Sequence, residues 1–409
     1  MQMRLAVFTS QFPTKVNTFF ARDVKALAGA GAEIEIFAIY PRSDELWRYV
    51  PQMLSDFPRS RVHHLSLSEC LPAIAHSTTT EASVTLRTAI AAARSASAHG
   101  PIAMAKSLYV LPKAWAWASR PRERFDHVLS YWGNYAATCA YLFSRLSDTK
   151  FSLILHAGTD LYRSRVLMRE KLLAARNIVV VCEFNRSFLA RTYSDLYPAI
   201  EQRIHVHHLG LDLRELSFDT GDRLPGRVLA VGSHQKNKGF HHLIRAIRIL
   251  KNKGVEVTLD LVGDGPLTES LRLLVRDLGL AECVWFHGWL APDEIPSYMR
   301  KAAVLVHPST ELGDAVPTVL KESMALGTPV IASDVAGIPE LLDGGRCGLL
   351  VPPMNEVLLA SAVQLLLENE RLRRDLAAAA RRHAEAMFDM WRNGRRLFSI
   401  LDGERMPAA

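Results

Sequence analysis

The sequence predicts an α/β protein made of two doubly wound, Rossmann-like parallel sheets, and three observations carry that prediction. Short apolar runs alternate with amphipathic helical stretches through residues 1–40 and again from residue 126 onward. A second series of the same alternation opens at residue 227, after a His-rich connection at 203–213. At 409 residues, 49% hydrophobic and 22% charged, the chain is long enough for two or three domains with sizeable cores.

In chain order, residues 4–9 are an apolar strand and residues 34–39 a second one. Between them lies an amphipathic helix with Phe20, Val24 and Leu27 on one face, stopped by Gly29 and Gly31. No G-x-G-x-x-G follows the first strand, so this is not a dinucleotide fingerprint. Residues 86–98 and 102–111 read as helices, with Met104, Leu108, Leu111 and Trp115 at helical spacing, and Pro112 should end or kink the second. Trp115 and Trp117, beside Lys113 and the run RPRER at 120–124, have two readings: an interfacial patch for lipid headgroups, or a core helix with a solvated basic end. The core helix is favoured. From residue 126 the run HVLSYW is a strand, AATCAYLFSRL a helix, FSLILHAGTD a strand ending in a polar loop, and NIVVVCEFN a strand before a helix at 186–191. Ligands of doubly wound sheets sit at the carboxyl ends of strands, which singles out His156. In RIHVHHLGLDL at 203–213, His205, His207 and His208 alternate faces of a strand with no carboxylate or Cys cluster beside them, so they read as structural rather than metal-binding.

The second series repeats the pattern in RVLAVGSHQKNKGFHHLIRAI, VEVTLDLVGDGPLTESLRLLV and VWFHGWL, where the GDGP turn at 263–266 is a generic glycine-rich loop. Residues 304–340 then read VLVHPSTELGDAVPTVLKESMALGTPVIASDVAGIPE: a buried strand at 304–307, a polar loop, a helix opening at Pro317, and a strand at 328–332. Pro317 suits the first helical position, because its missing N–H would be unbonded there. The N–H groups of Thr318, Val319 and Leu320, with the positive end of the helix dipole, then form an anion site fit for a diphosphate. Glu322, four residues after Thr318, lies one turn deeper on the same face, where a carboxylate accepts from both hydroxyls of a ribose. Asp314 lies just ahead, within reach of a sugar hydroxyl. By spacing alone the stretch serves equally as a capped strand–loop–helix with solvated acids. Residues 356–385 are strongly helical, followed by FDMWRNGRRLFSIL.

An acid at 314, seven residues, Glu322 and then SMALGTPVIASDVAGIPELL resemble the donor-site signature of glycosyltransferase family 4, retaining enzymes of the GT-B fold, and the opening resembles members from colanic-acid and other exopolysaccharide pathways. The resemblance implies two Rossmann-like domains facing an interdomain cleft, one at 1–198 for the acceptor and one at 199–385 for the nucleotide sugar. A final helix at 386–409 then crosses back to the first through Trp391, Leu397 and Ile400. It implies a donor site formed by Gly232, Ser233, Lys238, Gly263, Asp314, Ala315, Val316, Pro317, Thr318, Val319 and Glu322. Lys238 matches the lysine of the family's VG[RS]-x-x-x-x-KG loop, Ser233 replaces its arginine, and Lys236 is a candidate substitute. HAGTD is similar to the family's His-Gly-x-Asp-like loop, which makes His156, Lys238 and Asp314 the catalytic set. On the acceptor side the resemblance places Thr14, Asn17 and Asp160, with Asn17 where the SETF-like loop usually has Glu. Asp314 likewise stands where the family usually has Glu.

Charge and cysteine usage narrow the surroundings. The first 199 residues carry 24 Lys+Arg against 15 Asp+Glu and the remainder 25 against 27, so the first half is the basic one. That balance suits an anionic membrane surface; no motif supports nucleic acid as the partner. Five widely spaced cysteines, never CxxC, argue against a disulfide framework or a zinc site, and no apolar run is long enough to span a bilayer. A cytoplasmic protein, peripheral at the inner face of the plasma membrane, is expected. No Asp-x-Asp pair occurs, so no metal and no cofactor are expected. The implied activity moves a hexose, with retention, from a nucleoside-diphosphate sugar to a saccharide acceptor, lipid-linked, in cell-surface polysaccharide biosynthesis. The substitutions Asn17, Ser233 and Asp314 keep two alternatives open: a non-catalytic nucleotide-sugar-binding scaffold, or another GT-B enzyme such as a phosphorylase or epimerase.

Overall fold

The computed structural model describes residues 2–14, 18–40, 43–50, 54, 57–72, 79–120, 124–163, 165–219, 221 and 223–403. By its internal contacts the chain forms two units, one of Met1–Gly210 with Met390–Ala409, the other of Leu211–Asp389.

The first unit holds seven parallel strands, β1 (Met3–Thr9), β2 (Ala32–Ala38), β3 (Val62–His63), β4 (His127–Ser130), β5 (Lys150–Leu155), β6 (Asn177–Val180) and β7 (Ile204–Val206), in the order β3-β2-β1-β4-β5-β6-β7. The central strands β4 and β6 are buried along their whole length, as expected of a parallel sheet covered on both faces. Because β7 pairs with β6, the first sheet runs past the boundary expected after residue 198; the chain leaves it only after Gly210.

Helices Thr79–Ser97 and Pro101–Ala118 are both longer than expected, and the second runs straight through Pro112. An interior proline costs a helix about 3 kcal/mol. Beyond it, however, Ala114, Ala116 and Trp117 are buried, and each large apolar side chain removed from water returns roughly 1.5–3 kcal/mol. Lys113 is also drawn inward, its Nζ donating to the carbonyls of Ile39 at 2.6 Å and Leu65 at 2.5 Å. Trp117 is 1% exposed and meets Phe8 and Phe37 edge-on, so the core reading of this stretch holds and the lipid-facing tryptophan patch does not. Residues 121–123 of the basic run lie outside the described residues. The last helix, Met390–Asp402, packs on helix Thr18–Gly29; Gly394 sits so close to Ala26 that a Cβ there would lie 2.3 Å from the alanine's own. Trp391 lies against Gly29 of that helix, and Leu397 and Ile400 are buried.

The second unit has six parallel strands, β8 (Arg227–Val231), β9 (Thr258–Val262), β10 (Val284–Gly288), β11 (Val304–His307), β12 (Val330–Ser333) and β13 (Leu349–Val351), in the order β10-β9-β8-β11-β12-β13. The helical tail expected over 356–385 is two helices, Glu356–Glu368 and Glu370–Met387. Asn369 breaks it, its side chain accepting from the Leu372 N–H at 2.9 Å as the cap of the second.

Candidate functional site

In both sheets the winding reverses where the first strand lies beside the fourth, at β1/β4 and at β8/β11. The loops after those strands diverge there and leave a crevice at the carboxyl ends.

In the second unit the two diverging loops are knitted together. Gly239, at φ +65°, lies so near the loop after β11 that a Cβ would meet the Pro308 carbonyl at 2.0 Å, which only glycine permits. The Thr310 N–H donates to the Asn237 carbonyl at 2.9 Å. Across this seam Lys238 Nζ donates to Asp314 Oδ2 at 2.6 Å. The same oxygen accepts from Ser309 Oγ at 2.8 Å and from His307 Nε2 at 2.5 Å. Burial alone would raise the Asp314 carboxyl, but Lys238 and His307 outweigh it and hold the group well below the usual carboxylate range. His307 is 1% exposed and burial pushes its imidazole down, so it donates from Nε2 as the neutral tautomer. Asp314 keeps 14% of its side chain exposed and Lys238 18%, so a ligand in the crevice reaches both.

Helix Thr318–Leu326 follows directly. Pro317, expected as the first helical residue, is instead the cap, with an extended ψ of 122°. The difference is one residue, and the N–H groups of Thr318, Val319 and Leu320 remain the ones without intrahelical partners. Glu322 is half-buried on the second turn, and Ala315 is buried beneath the loop with Val316 half-buried beside it. Ser233 and Lys236 are exposed, and Gly232 and Gly263 begin the loops after β8 and β9. Of the sequence-derived donor set, Lys238 and Asp314 meet directly, Gly263 lies against Gly232, and Ala315 to Glu322 follow Asp314 along the same loop and helix. His307 and Ser309 were missed; the signal available was a histidine closing the apolar strand VLVH, the same signal that singled out His156.

The first unit's switch point is held differently. His156, just past β5, is buried, its ring among Trp132, Tyr131 and Phe19 at centroid distances of 4.5, 5.0 and 5.4 Å. Its Nε2 donates to the Tyr131 carbonyl at 2.9 Å, which fixes the tautomer. Asp160, expected to face an acceptor, is 1% exposed and acts as a brace. Its carboxylate accepts from the N–H groups of His156 at 2.8 Å, Ala157 at 2.9 Å and Gly133 at 3.4 Å. A chain reversing this sharply leaves backbone donors that something must satisfy. Burial pushes Asp160 up to about 6, those hydrogen bonds opposing it. Lys171 braces the other side, buried, with Nζ on the carbonyls of Gly133 and Asn134 at 3.1 and 3.0 Å; burial pushes it down to about 7. Thr14 is half-buried in the loop after β1, and Asn17 lies outside the described residues. Among the described residues, the His, Cys and carboxylate atoms close enough to share a cation are those of Asp343, Cys347 and His383, outside both crevices, and Asp343 is already engaged by Arg346 at 2.6 and 2.8 Å.

Residues 222–383 match the family model described as glycosyl transferases group 1. The chain is 28% identical to the amylovoran biosynthesis glycosyltransferase AmsK of Erwinia amylovora, over 98% of this chain and 99% of that one. It is 26% identical, over the same shares, to the putative colanic acid biosynthesis glycosyltransferase WcaL of Salmonella typhimurium. Among solved structures, Anabaena Alr3699/HepE in complex with UDP-glucose superposes with a TM-score of 0.70 at 16% identity, covering 98% of this chain and 100% of that one. The fold is thus of the GT-B class, two Rossmann-like parallel-sheet domains, and the match to the group 1 glycosyltransferase model lies wholly within the second unit.

Proposed function

We propose that this protein, whose second unit holds the match to the group 1 glycosyltransferase model, moves a hexose from a nucleoside-diphosphate sugar to a saccharide acceptor with retention of configuration, in cell-surface polysaccharide biosynthesis. The observation that carries this reading is the Lys238–Asp314 pair, poised across the switch point just ahead of a helix N-terminus. The donor's diphosphate draws the Lys238 ammonium and lies against the N–H groups of Thr318 and Val319, and Glu322 takes the ribose hydroxyls. Asp314, still held by His307 and Ser309, then turns its carboxylate to the hexose. As the bond from the sugar's anomeric carbon to the phosphate oxygen breaks, charge grows on the leaving diphosphate. A unit charge at 4 Å is worth about 4 kcal/mol at an effective dielectric near 20. The acceptor oxygen bonds to the anomeric carbon on the same face and its proton passes to a phosphate oxygen, so no protein nucleophile is required.

Because protein groups supply the charge, neither metal nor cofactor is required. A lipid-linked acceptor at the inner, cytoplasmic face of the membrane is favoured by helices Thr79–Ser97 and Pro101–Ala118, which leave Leu86, Ile90, Ile102 and Leu108 exposed beside Arg87, Arg94 and Lys106. No helix among the described residues is long and apolar enough to cross a membrane. The test is a thermal-shift screen of UDP- and GDP-sugars, where a ligand at 100 times its Kd stabilises by about 2.7 kcal/mol. It is followed by an assay for free nucleoside diphosphate on addition of acceptor, with and without EDTA. Release that survives EDTA is expected; binding without release favours the scaffold alternative.

A further inference from the structure

Three donors converge on one oxygen of the second unit's crevice: Asp314 Oδ2 accepts from Lys238 Nζ at 2.6 Å, Ser309 Oγ at 2.8 Å and His307 Nε2 at 2.5 Å. His307 and Ser309 are buried at the end of β11 and stay where the strand puts them. Lys238 is half-buried, on a flexible four-carbon stem in the loop after β8, and is the partner able to move. Without it Oδ2 still has a donor for each of its two lone pairs, but the carboxylate has lost its counter-charge in a largely closed site. A proton then has a place to go. Because His307 donates from Nε2, its Nδ1 carries a lone pair, and that atom is buried with no hydrogen-bond partner among the described residues. A proton arriving there breaks no existing hydrogen bond and sets an imidazolium against the carboxylate. The charged groups acting on His307 are Asp314 and Lys238. On the elements packed against β11, Arg227 is held by Asp260, and Glu356 and Glu368 are taken by His242 and Gln364. Lys321, Glu322 and Asp334 make no hydrogen bond or ion pair with His307.

We infer that His307 is the proton acceptor of donor binding: as the diphosphate of a sugar nucleotide draws Lys238 away from Asp314, His307 Nδ1 takes one proton from solvent. The crevice thereby exchanges an ammonium–carboxylate pair for an imidazolium–carboxylate pair. Lys238 keeps its own proton and no covalent bond of the donor changes. The inference rests on the reading of this crevice as the donor site. His307 touches no substrate; it is a positioning residue that keeps Asp314 ionised and held while the carboxylate accepts from the hexose. In the free protein burial, with Lys238 adding to it and Asp314 opposing, pushes the imidazole below its ordinary value of 6.5. Departure of the ammonium raises it. The bound state therefore holds a proton that the free state lacks, and donor affinity is highest at low pH and falls as pH rises between the two values.

Titration calorimetry of the full chain with UDP-glucose and with GDP-mannose, at about pH 7.5 in buffers of low and high ionisation enthalpy, tests this. Both phosphates of these probes are esterified and ionise far below neutral pH, so the probes take up no proton themselves. The expected result is a binding enthalpy that grows with the buffer's ionisation enthalpy, at a slope of about one proton taken up, and a Kd that rises by up to about tenfold per pH unit. His307→Gln keeps an N–H for Asp314 but has nothing to titrate, and should abolish both the slope and the pH dependence. Wild-type binding with no proton uptake overturns the inference and leaves the donor reading standing, whether or not the variant folds. Uptake that persists unchanged in His307→Gln also overturns it and places the proton on Asp314. Absence of binding by either sugar nucleotide removes the donor reading and the inference together.

Discussion

The two switch points of this protein occupy equivalent places in equivalent sheets, yet one is held by a half-buried charge pair that solvent still reaches and the other by fully buried braces. In the second unit a lysine and an aspartate 76 positions apart meet across the seam and remain within reach of solvent. In the first unit the buried ionisable groups Asp160 and Lys171 are spent on backbone N–H and C=O groups, while the Tyr131 carbonyl fixes the His156 tautomer. A carboxylate beside a switch point is therefore no sign of its role. Its exposure and its partners decide between ligand contact and loop scaffold.

Substitutions at the two places should break that contrast or sharpen it. The largest effect is expected from Lys238→Ala, with turnover reduced by on the order of 10²-fold or more and the fold intact, as loss of one preorganised charge donor does elsewhere. Unchanged turnover would remove Lys238 from leaving-group stabilisation. Next comes Glu322→Ala, which should weaken donor binding by roughly 1.5–3 kcal/mol for each lost charge-assisted bond. Isothermal titration with one confirmed donor measures this, and wild-type affinity would sink the assignment of the crevice as the donor site. Asp314→Ala should lower turnover more than donor affinity, with Asp314→Glu recovering much of it; the same titration and steady-state kinetics separate the two quantities.

On the other side of the contrast, Asp160→Asn should cost about 1–3 kcal/mol of stability, because it disturbs three backbone donors, and should leave the donor Kd unchanged. Its pH dependence carries a definite sign. The folded carboxyl titrates near 6 against an ordinary value of 3.8, so between those values the native state keeps a proton that the unfolded chain has released. Stability from this group is thus full at low pH and is lost as pH rises through about 6. Denaturation at pH 4 and pH 7 should show the larger deficit of Asp160→Asn at pH 4. An equal deficit at both would mean the carboxylate is charged in the fold. The smallest effect expected is on association with anionic vesicles, which should weaken as salt shortens the Debye length toward about 8 Å. Indifference to such vesicles at low salt would favour a soluble acceptor.

Much of this arrangement was legible in the chain. The strand–helix alternation is written in residue types whose periodicity is local, so both doubly wound sheets are expected from the sequence alone. The meeting of Lys238 with Asp314 was foreshadowed as well, since Lys238, Asp314, Pro317 and Glu322 keep the spacing of a signature that the sequence resembles. What local spacing does not carry is partnership. His307 and Ser309 meet Asp314 only because the loop after β11 folds back over its own strand. Asp160 reads as a ligand in the sequence because nothing near it shows that Gly133, from the loop after β4, donates to its carboxylate.

The same distinction governs the helices. Caps and apolar periodicity by themselves determined that helices would exist at 18–29, 240–252 and 318–326, because each hydrogen bond and side-chain row involved lies within a few residues. Whether a helix would pass through Pro112, and whether Trp117 would face lipid or core, was decided by Phe8 and Phe37, from strands 109 and 80 positions before the tryptophan. The tertiary structure likewise decided that Lys238 should meet Asp314. Charges act through space, and the distance between two side chains is set by the packing of whole elements, a quantity that no stretch of sequence contains.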